Sequence, residues 1–218
     1  MIRFFTLFSV LAQLTIDCLA QKSKYFEGKV YYTYEVTSKK IGVDAKRIKK
    51  IVGDSSTLSF KDGNYHHNYS AGIIEFDTYN QQENKYYFKK RNNDTIYWSN
   101  CGEAGDKISK FDSVTNKEVI LGIKCKKLII HYKNKTVTHY YNSDSLSIDP
   151  DWFKNYILND QNQVDQKEKA IYLKSEVEFP NFRLVETANK IERKKISSNV
   201  FEISPDAILV EKKTLRKN

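Results

Sequence analysis

Glycine and proline are scarce in this 218-residue chain, at eight and three residues, which excludes collagen-like and Gly/Pro-rich low-complexity sequence. Cysteine is equally sparse at three residues, too few for a small disulfide-built scaffold. After Ala20 no run approaches the roughly 20 apolar residues of a membrane-spanning helix, so a mature chain is not expected to be an integral membrane protein. The local marks of common catalysts are missing as well. There is no Gly-x-Ser-x-Gly elbow, no phosphate-cradling glycine loop and no dinucleotide fingerprint. Hydrophobic residues at 40% and aromatics at 13% still supply enough apolar mass for a core, which excludes a disordered chain.

The N-terminus reads as a secretory leader. Arg3 gives the positive start, Phe4 to Ile16 a mostly apolar stretch, and Cys18-Leu19-Ala20 a small-x-small cleavage site before Gln21. Asp17 stands where a lipobox would carry a small residue, so a free protein is expected instead of a lipoprotein. The expected organisation is a leader over 1–20 and one β-rich domain over 21–218, exported to the periplasm or secreted. Loss of the leader removes Arg3 and Asp17 together and leaves the net charge at +9. It also leaves two cysteines, Cys101 and Cys125, bound for an oxidising compartment, and these are expected to pair. A closed loop of about 25 residues would contribute roughly 3 kcal/mol.

Alternation of apolar and polar residues dominates the rest. In Gly28 to Val36 the residues Val30, Tyr32, Tyr34 and Val36 face one side, with Lys29, Thr33 and Glu35 on the other. In Ala170 to Phe179 the apolar set is Ile171, Leu173, Val177 and Phe179. Both read as half-buried antiparallel strands. Turn chemistry at Lys61-Asp62-Gly63-Asn64, Asn80 to Asn84, Asn92-Asn93-Asp94 and Lys133-Asn134-Lys135 joins such runs into hairpins. Two helices are expected. One carries Ile41, Ala45, Ile48 and Val52 at helical spacing. The other starts at Asp149-Pro150 and runs through Trp152, Phe153, Tyr156 and Ile157. The polar stretch Asn159 to Lys169 reads as a loop.

Three segments carry a resemblance: the opening Phe26-Glu27-Gly28-Lys29-Val30-Tyr31-Tyr32-Thr33-Tyr34-Glu35, the central Glu118 to Lys127 followed by Thr136 to Tyr141, and the closing Val200-Phe201-Glu202-Ile203-Ser204-Pro205. In these the chain resembles the GLPGLI-type family of exported Gram-negative proteins, and more widely the outer-membrane lipoprotein carriers. The glycine- and leucine-rich stretch that names the family is replaced here by Asn159 to Lys169. The resemblance implies a mainly antiparallel α+β fold, a strongly curved sheet or unclosed half-barrel with one or two short covering helices.

No catalytic constellation emerges, so the chain is read as a non-enzyme without a cofactor. His66 and His67 are adjacent on one expected strand and point to opposite faces, which prevents joint chelation. His131 and His139 flank a turn and are the one histidine pair with plausible cross-strand geometry, but two imidazoles make a weak metal site, and none is assigned. The basic surplus could hold phosphates, yet export makes nucleic acid an unsuitable partner. The preferred reading is a binding protein whose concave face cradles an apolar or lipidated ligand. Val30, Tyr32, Tyr34, Leu128, Ile130, Ile171, Leu173, Val177 and Phe179 would line it, with Trp152, Phe153 and Tyr156 as the cover. The alternative is an envelope scaffold with a filled core that meets a partner through its basic faces. A cavity of several hundred cubic ångströms favours the first.

Overall fold

The computed structural model describes residues 24–114 and 118–212; the expected leader and its cleavage point lie outside them. Along the described chain run β1 (Gly28–Ser38), α1 (Ala45–Val52), β2 (Ser55–Lys61), β3 (Asn64–Tyr69), β4 (Ile74–Asn80), β5 (Lys85–Lys90), β6 (Thr95–Asn100) and β7 (Ile108–Val114). Then come the short β8 (Val119–Ile120) and β9 (Ile123–Lys124), followed by β10 (Lys126–Tyr132), β11 (Thr136–Tyr141), α2 (Gln161–Glu168), β12 (Tyr172–Glu178), β13 (Phe182–Arg193) and β14 (Ile208–Glu211).

Twelve strands form one open sheet in the order β14-β6-β5-β4-β3-β2-β1-β13-β12-β11-β10-β7. All neighbours pair antiparallel except β14, which runs parallel to β6. Two meanders, β2 to β6 and β10 to β13, meet at β1, whose full length pairs with β13 from Gly28↔Arg193 to Ser38↔Phe182. The hairpins follow the turn residues: Asp62 and Gly63 both take positive φ, 47° and 76°, as a two-residue turn of matching twist requires. Gly63 is needed for a second reason, because a Cβ there would lie 2.6 Å from Cβ of Trp152.

The sheet must curve strongly. Five strands separate β3 from β10, about 29 Å across a flat sheet. Yet side chains of both strands line one cavity of about 400 Å³. The alternation in β1 places Val30, Tyr32 and Tyr34 on the buried inner face while Thr33 and Glu35 stay exposed. Inner-face residues join into a core with Phe26, Phe60, Tyr79 and Leu173.

The helices differ from the sequence expectation. α1 forms where Ala45, Ile48 and Val52 repeat, but Ile41 lies outside it and is fully exposed, and no α1 residue is buried. The Pro150 segment stops after one 3-10 turn, Pro150–Phe153, although Asp149 caps it as expected by accepting from the Asp151 N–H at 3.1 Å. Tyr156 and Ile157 lie beyond the turn. Asn159 to Lys169, read as a loop, instead contains α2, with Val164, Asp165 and Glu168 buried. Its buried side mixes one valine with two acids, so it offers no apolar period to detect.

The expected disulfide is also absent, and both cysteines are free buried thiols. Cys101 follows β6 and Cys125 precedes β10, with eight strands between these two in the sheet. Each instead fills a place in the core. The Cys101 carbonyl accepts from the Ile157 and Leu158 N–H groups at 2.8 and 3.1 Å, and burial pushes its thiol up to about 12.

Candidate functional site

The cavity of about 400 Å³ lies between the inner face of the sheet and the covering segment 148–171. That segment is pinned at both ends of α2. Before the helix, Asp160 is buried and accepts from Lys107 Nζ and the Ile108 N–H, each at 2.8 Å. After it, the Lys169 carbonyl accepts from the Ile148 N–H at 3.0 Å, and Ala170 bridges Ser147. Asn159, Asp160 and Lys169 all hold left-handed backbone at φ 57°, 55° and 51°. Such residues cost of order 1 kcal/mol or more each and persist only where surrounding contacts enforce them. A second cleft of about 640 Å³ runs by Lys24, Leu146 and Arg193, but its apolar wall is limited to Ile123, Leu146 and Ile191.

Of the residues singled out from sequence, Ile130, Phe153, Ile171 and Val177 line the cavity. Val30, Tyr32, Tyr34, Leu128, Leu173 and Tyr156 are buried in the surrounding core without lining it. Tyr156 stacks on Tyr79 at 4.6 Å, and its hydroxyl shares a 3.3 Å hydrogen bond with that of Tyr65. Trp152 is half-buried against Tyr25, Phe60 and Gly63, behind the wall. Phe179 stacks on Phe182 in the β12–β13 turn, 4.5 Å between ring centres. The cover is therefore α2 with Phe153, and the rest of the Pro150 turn only buttresses it.

The polar part of the wall was not anticipated. His67 reaches in from β3, His139 from β11, Tyr172 and Ser175 from β12, Glu186 from β13, and Asp165 and Glu168 from α2. A register shift between Tyr140 and Tyr141 on the paired strand marks a bulge in β12, and with it Tyr172 lines the cavity although Leu173 beside it is also buried. The contacts are continuous. Glu168 Oε1 lies 2.7 Å from His139 Nδ1, the His139 ring stacks on Tyr172 at 4.6 Å, and the Tyr172 hydroxyl donates to Glu186 Oε2 at 2.9 Å. His67 Nδ1 faces Asp77 Oδ1 at 3.4 Å, and the Tyr69 hydroxyl donates to Asp77 Oδ2 at 2.6 Å.

Burial raises the Glu186 carboxyl above the ordinary carboxylate range and raises Asp165 well above it, Glu168 adding to the second effect. For His67 burial alone would favour the neutral ring, but the charge and hydrogen bond of Asp77, with Glu186 beyond, outweigh it and the net direction is upward. Glu186 had one legible sign: with Leu184 and Ala188 it shares the β13 parity that faces Val36, Tyr34 and Tyr32. His66 and His67 do point to opposite faces, His66 bonding Thr78 at 2.6 Å. His131 and His139 do not meet. His131 pairs with Thr136 and contacts Asp112 at 3.0 Å, whereas His139 sits opposite Leu128 and faces the cavity. Among the described residues no group of three or more His, Cys, Asp or Glu could hold a metal ion, and no helix is long and apolar enough to cross a membrane.

No protein-family model matches the chain, and no curated protein matches it in sequence. Solved structures do match in fold. PNGF-II in one crystal form aligns over 86% of this chain at 15% identity with a TM-score of 0.50. The chain spans about a third of that protein, 31% of its length. An uncharacterised conserved protein from Thermus thermophilus aligns over 89% of this chain and 96% of its own, at 9% identity and a TM-score of 0.49. The Mycobacterium tuberculosis lipoprotein LppX aligns over 78% and 89%, at 11% identity and a TM-score of 0.34. These likenesses concern the fold alone.

Proposed function

We propose that the protein is an exported, non-enzymatic binding protein that holds an amphiphile between its curved sheet and α2. The observation that carries this reading is the cavity of about 400 Å³, within the roughly 300–1,000 Å³ of small-molecule sites. A filled interior, as a pure scaffold would have, leaves no such space. Its wall has an apolar part from Ile130, Val137, Val164, Ile171 and Val177, suited to an acyl or alkyl chain. Eight buried methylenes would contribute a gross term of about 6 kcal/mol before ordering costs, enough for measurable affinity. Export rests on the leader pattern of residues 1–20, and kinship with the GLPGLI-type family on the three segments quoted above. The buried carboxyls and imidazoles orient and select a ligand in this reading; they are not assigned to bond-making.

The test is calorimetric titration of the protein with decanol, alongside Val177→Trp, which places an indole at the half-buried cavity wall. Saturable one-to-one binding that Val177→Trp abolishes is expected, with the far-UV spectrum of the variant retained. Absence of saturable binding by decanol and by other ten-carbon amphiphiles, or undiminished binding in the variant, would overturn the reading.

A further inference from the structure

Two of the acidic side chains that line the cavity have no ionic partner among the described residues. Two imidazole–carboxylate pairs account for themselves: His67 with Asp77 and His139 with Glu168. Glu186 and Asp165 remain. Among the described residues their side-chain partners are neutral, the Tyr172 hydroxyl for Glu186 and the Gln161 amide, at 3.2 and 3.3 Å, for Asp165. Lys135 also lines the cavity, its Nζ 4.9 Å from the centre of the Tyr132 ring. Among the described residues neither Glu186 nor Asp165 has a Lys, Arg or His nitrogen within ion-pair distance, whereas Glu168 and Asp77 each have a histidine. His67 Nε2 adds an unmet need, since it is buried with no hydrogen-bond partner. With Nδ1–H given to Asp77, Nε2 of the neutral ring is an acceptor that awaits a donor.

Resting on the binding reading above, we infer that the cavity selects a cationic amphiphile, an alkyl ammonium whose N–H groups meet Glu186, Asp165 and His67 Nε2 while its chain lies on Val164, Ile171 and Val177. An anionic head would set a further acid beside Glu186 and Asp165. An ammonium supplies the cationic partner that both lack. The groups facing Glu186 are His67 from β3, His139 from β11, Tyr172 from β12 and Tyr34 from β1, with Asp165 and Glu168 opposite on α2. Burial holds Glu186 and Asp165 toward their protonated forms, so the arriving ammonium keeps its own protons and a carboxyl proton, or that of the His67 imidazolium, leaves to the buffer.

Three probes of equal chain length, decylamine, decanol and decanoate, separate this inference from the reading it rests on. Each is titrated calorimetrically below its aggregation concentration, in two buffers of different ionisation enthalpy. Decylamine is expected to bind at least tenfold more tightly than either of the others, and to be the one probe whose binding releases protons. Glu186→Gln should cut the ratio of amine to alcohol affinity about tenfold. Decanoate or decanol binding as tightly as the amine, or amine binding without proton release, would overturn the inference and leave the cavity reading standing. Failure of all three to bind would overturn both.

Discussion

The two α-helices are each eight residues long and could hardly be used more differently. α1 displays its apolar repeat openly, is capped by Asp44 accepting from Lys46 N–H at 2.8 Å, ends on Gly53 at φ 91°, and buries none of its residues. α2 has no apolar repeat, begins and ends on left-handed residues other than glycine, and buries Val164, Asp165 and Glu168 over the cavity. Local signals thus mark the helix whose own sequence favours it. The helix over the site is held by tertiary contacts that override weak local preference.

A charge placed on each helix should widen that contrast most. Val164→Asp buries an unpaired carboxylate and is expected to cost about 4 kcal/mol, whereas Ile51→Asp on exposed α1 should stay within about 0.5 kcal/mol. Urea melts of the two variants measure this directly, and equal losses would break the comparison. The anchors come next. Asp160→Ala strands the Ile108 N–H and releases Lys107, for about 2–3 kcal/mol, against about 1 kcal/mol for removing the exposed Asp44 cap.

A pH series sharpens the difference in another way. Carboxyls raised in the folded state bind more protons there than in the unfolded chain, so their contribution is present at low pH and declines as pH rises above the ordinary carboxylate range. His67, also raised, adds a loss as pH climbs past the ordinary histidine range. Stability should therefore fall between pH 5 and 8. Asp165→Asn removes part of the slope and should raise Tm at pH 8 by a few degrees, while leaving pH 4 almost unchanged. An unaltered slope in scanning calorimetry would mean that Asp165 contributes nothing to it. The smallest effect is at the C-terminus of α2: Lys169→Gly, at φ 51°, should stabilise by about 0.5–1 kcal/mol, while Gly53→Ala brings a Cβ to 2.6 Å from the Ala71 carbonyl and should destabilise.

Amino-acid order alone settled β1 and the face it presents, because side chains alternate with a period of two and Val30, Tyr32 and Tyr34 follow it strictly. It settled the hairpin turns too, since Asp62-Gly63 accepts positive φ cheaply. It also limited the catalytic options. The cavity was only partly legible: Ile130, Phe153, Ile171 and Val177 followed from apolar pattern, but His67, His139, Asp165, Glu168 and Glu186 did not. A charged residue reads as solvated unless its partner is known, and these partners come from β1, β3, β4, β11, β12 and α2, up to about 150 residues apart. The two cysteines show the same limit from the other side. Compartment and number suggested a bond, but pairing depends on where strands separated by eight neighbours lie in the curved sheet. Curvature itself was decided by tertiary structure, because only the joint packing of twelve strands brings β3 and β10 around one cavity, and burial there raises Glu186 and Asp165 above the ordinary carboxylate range.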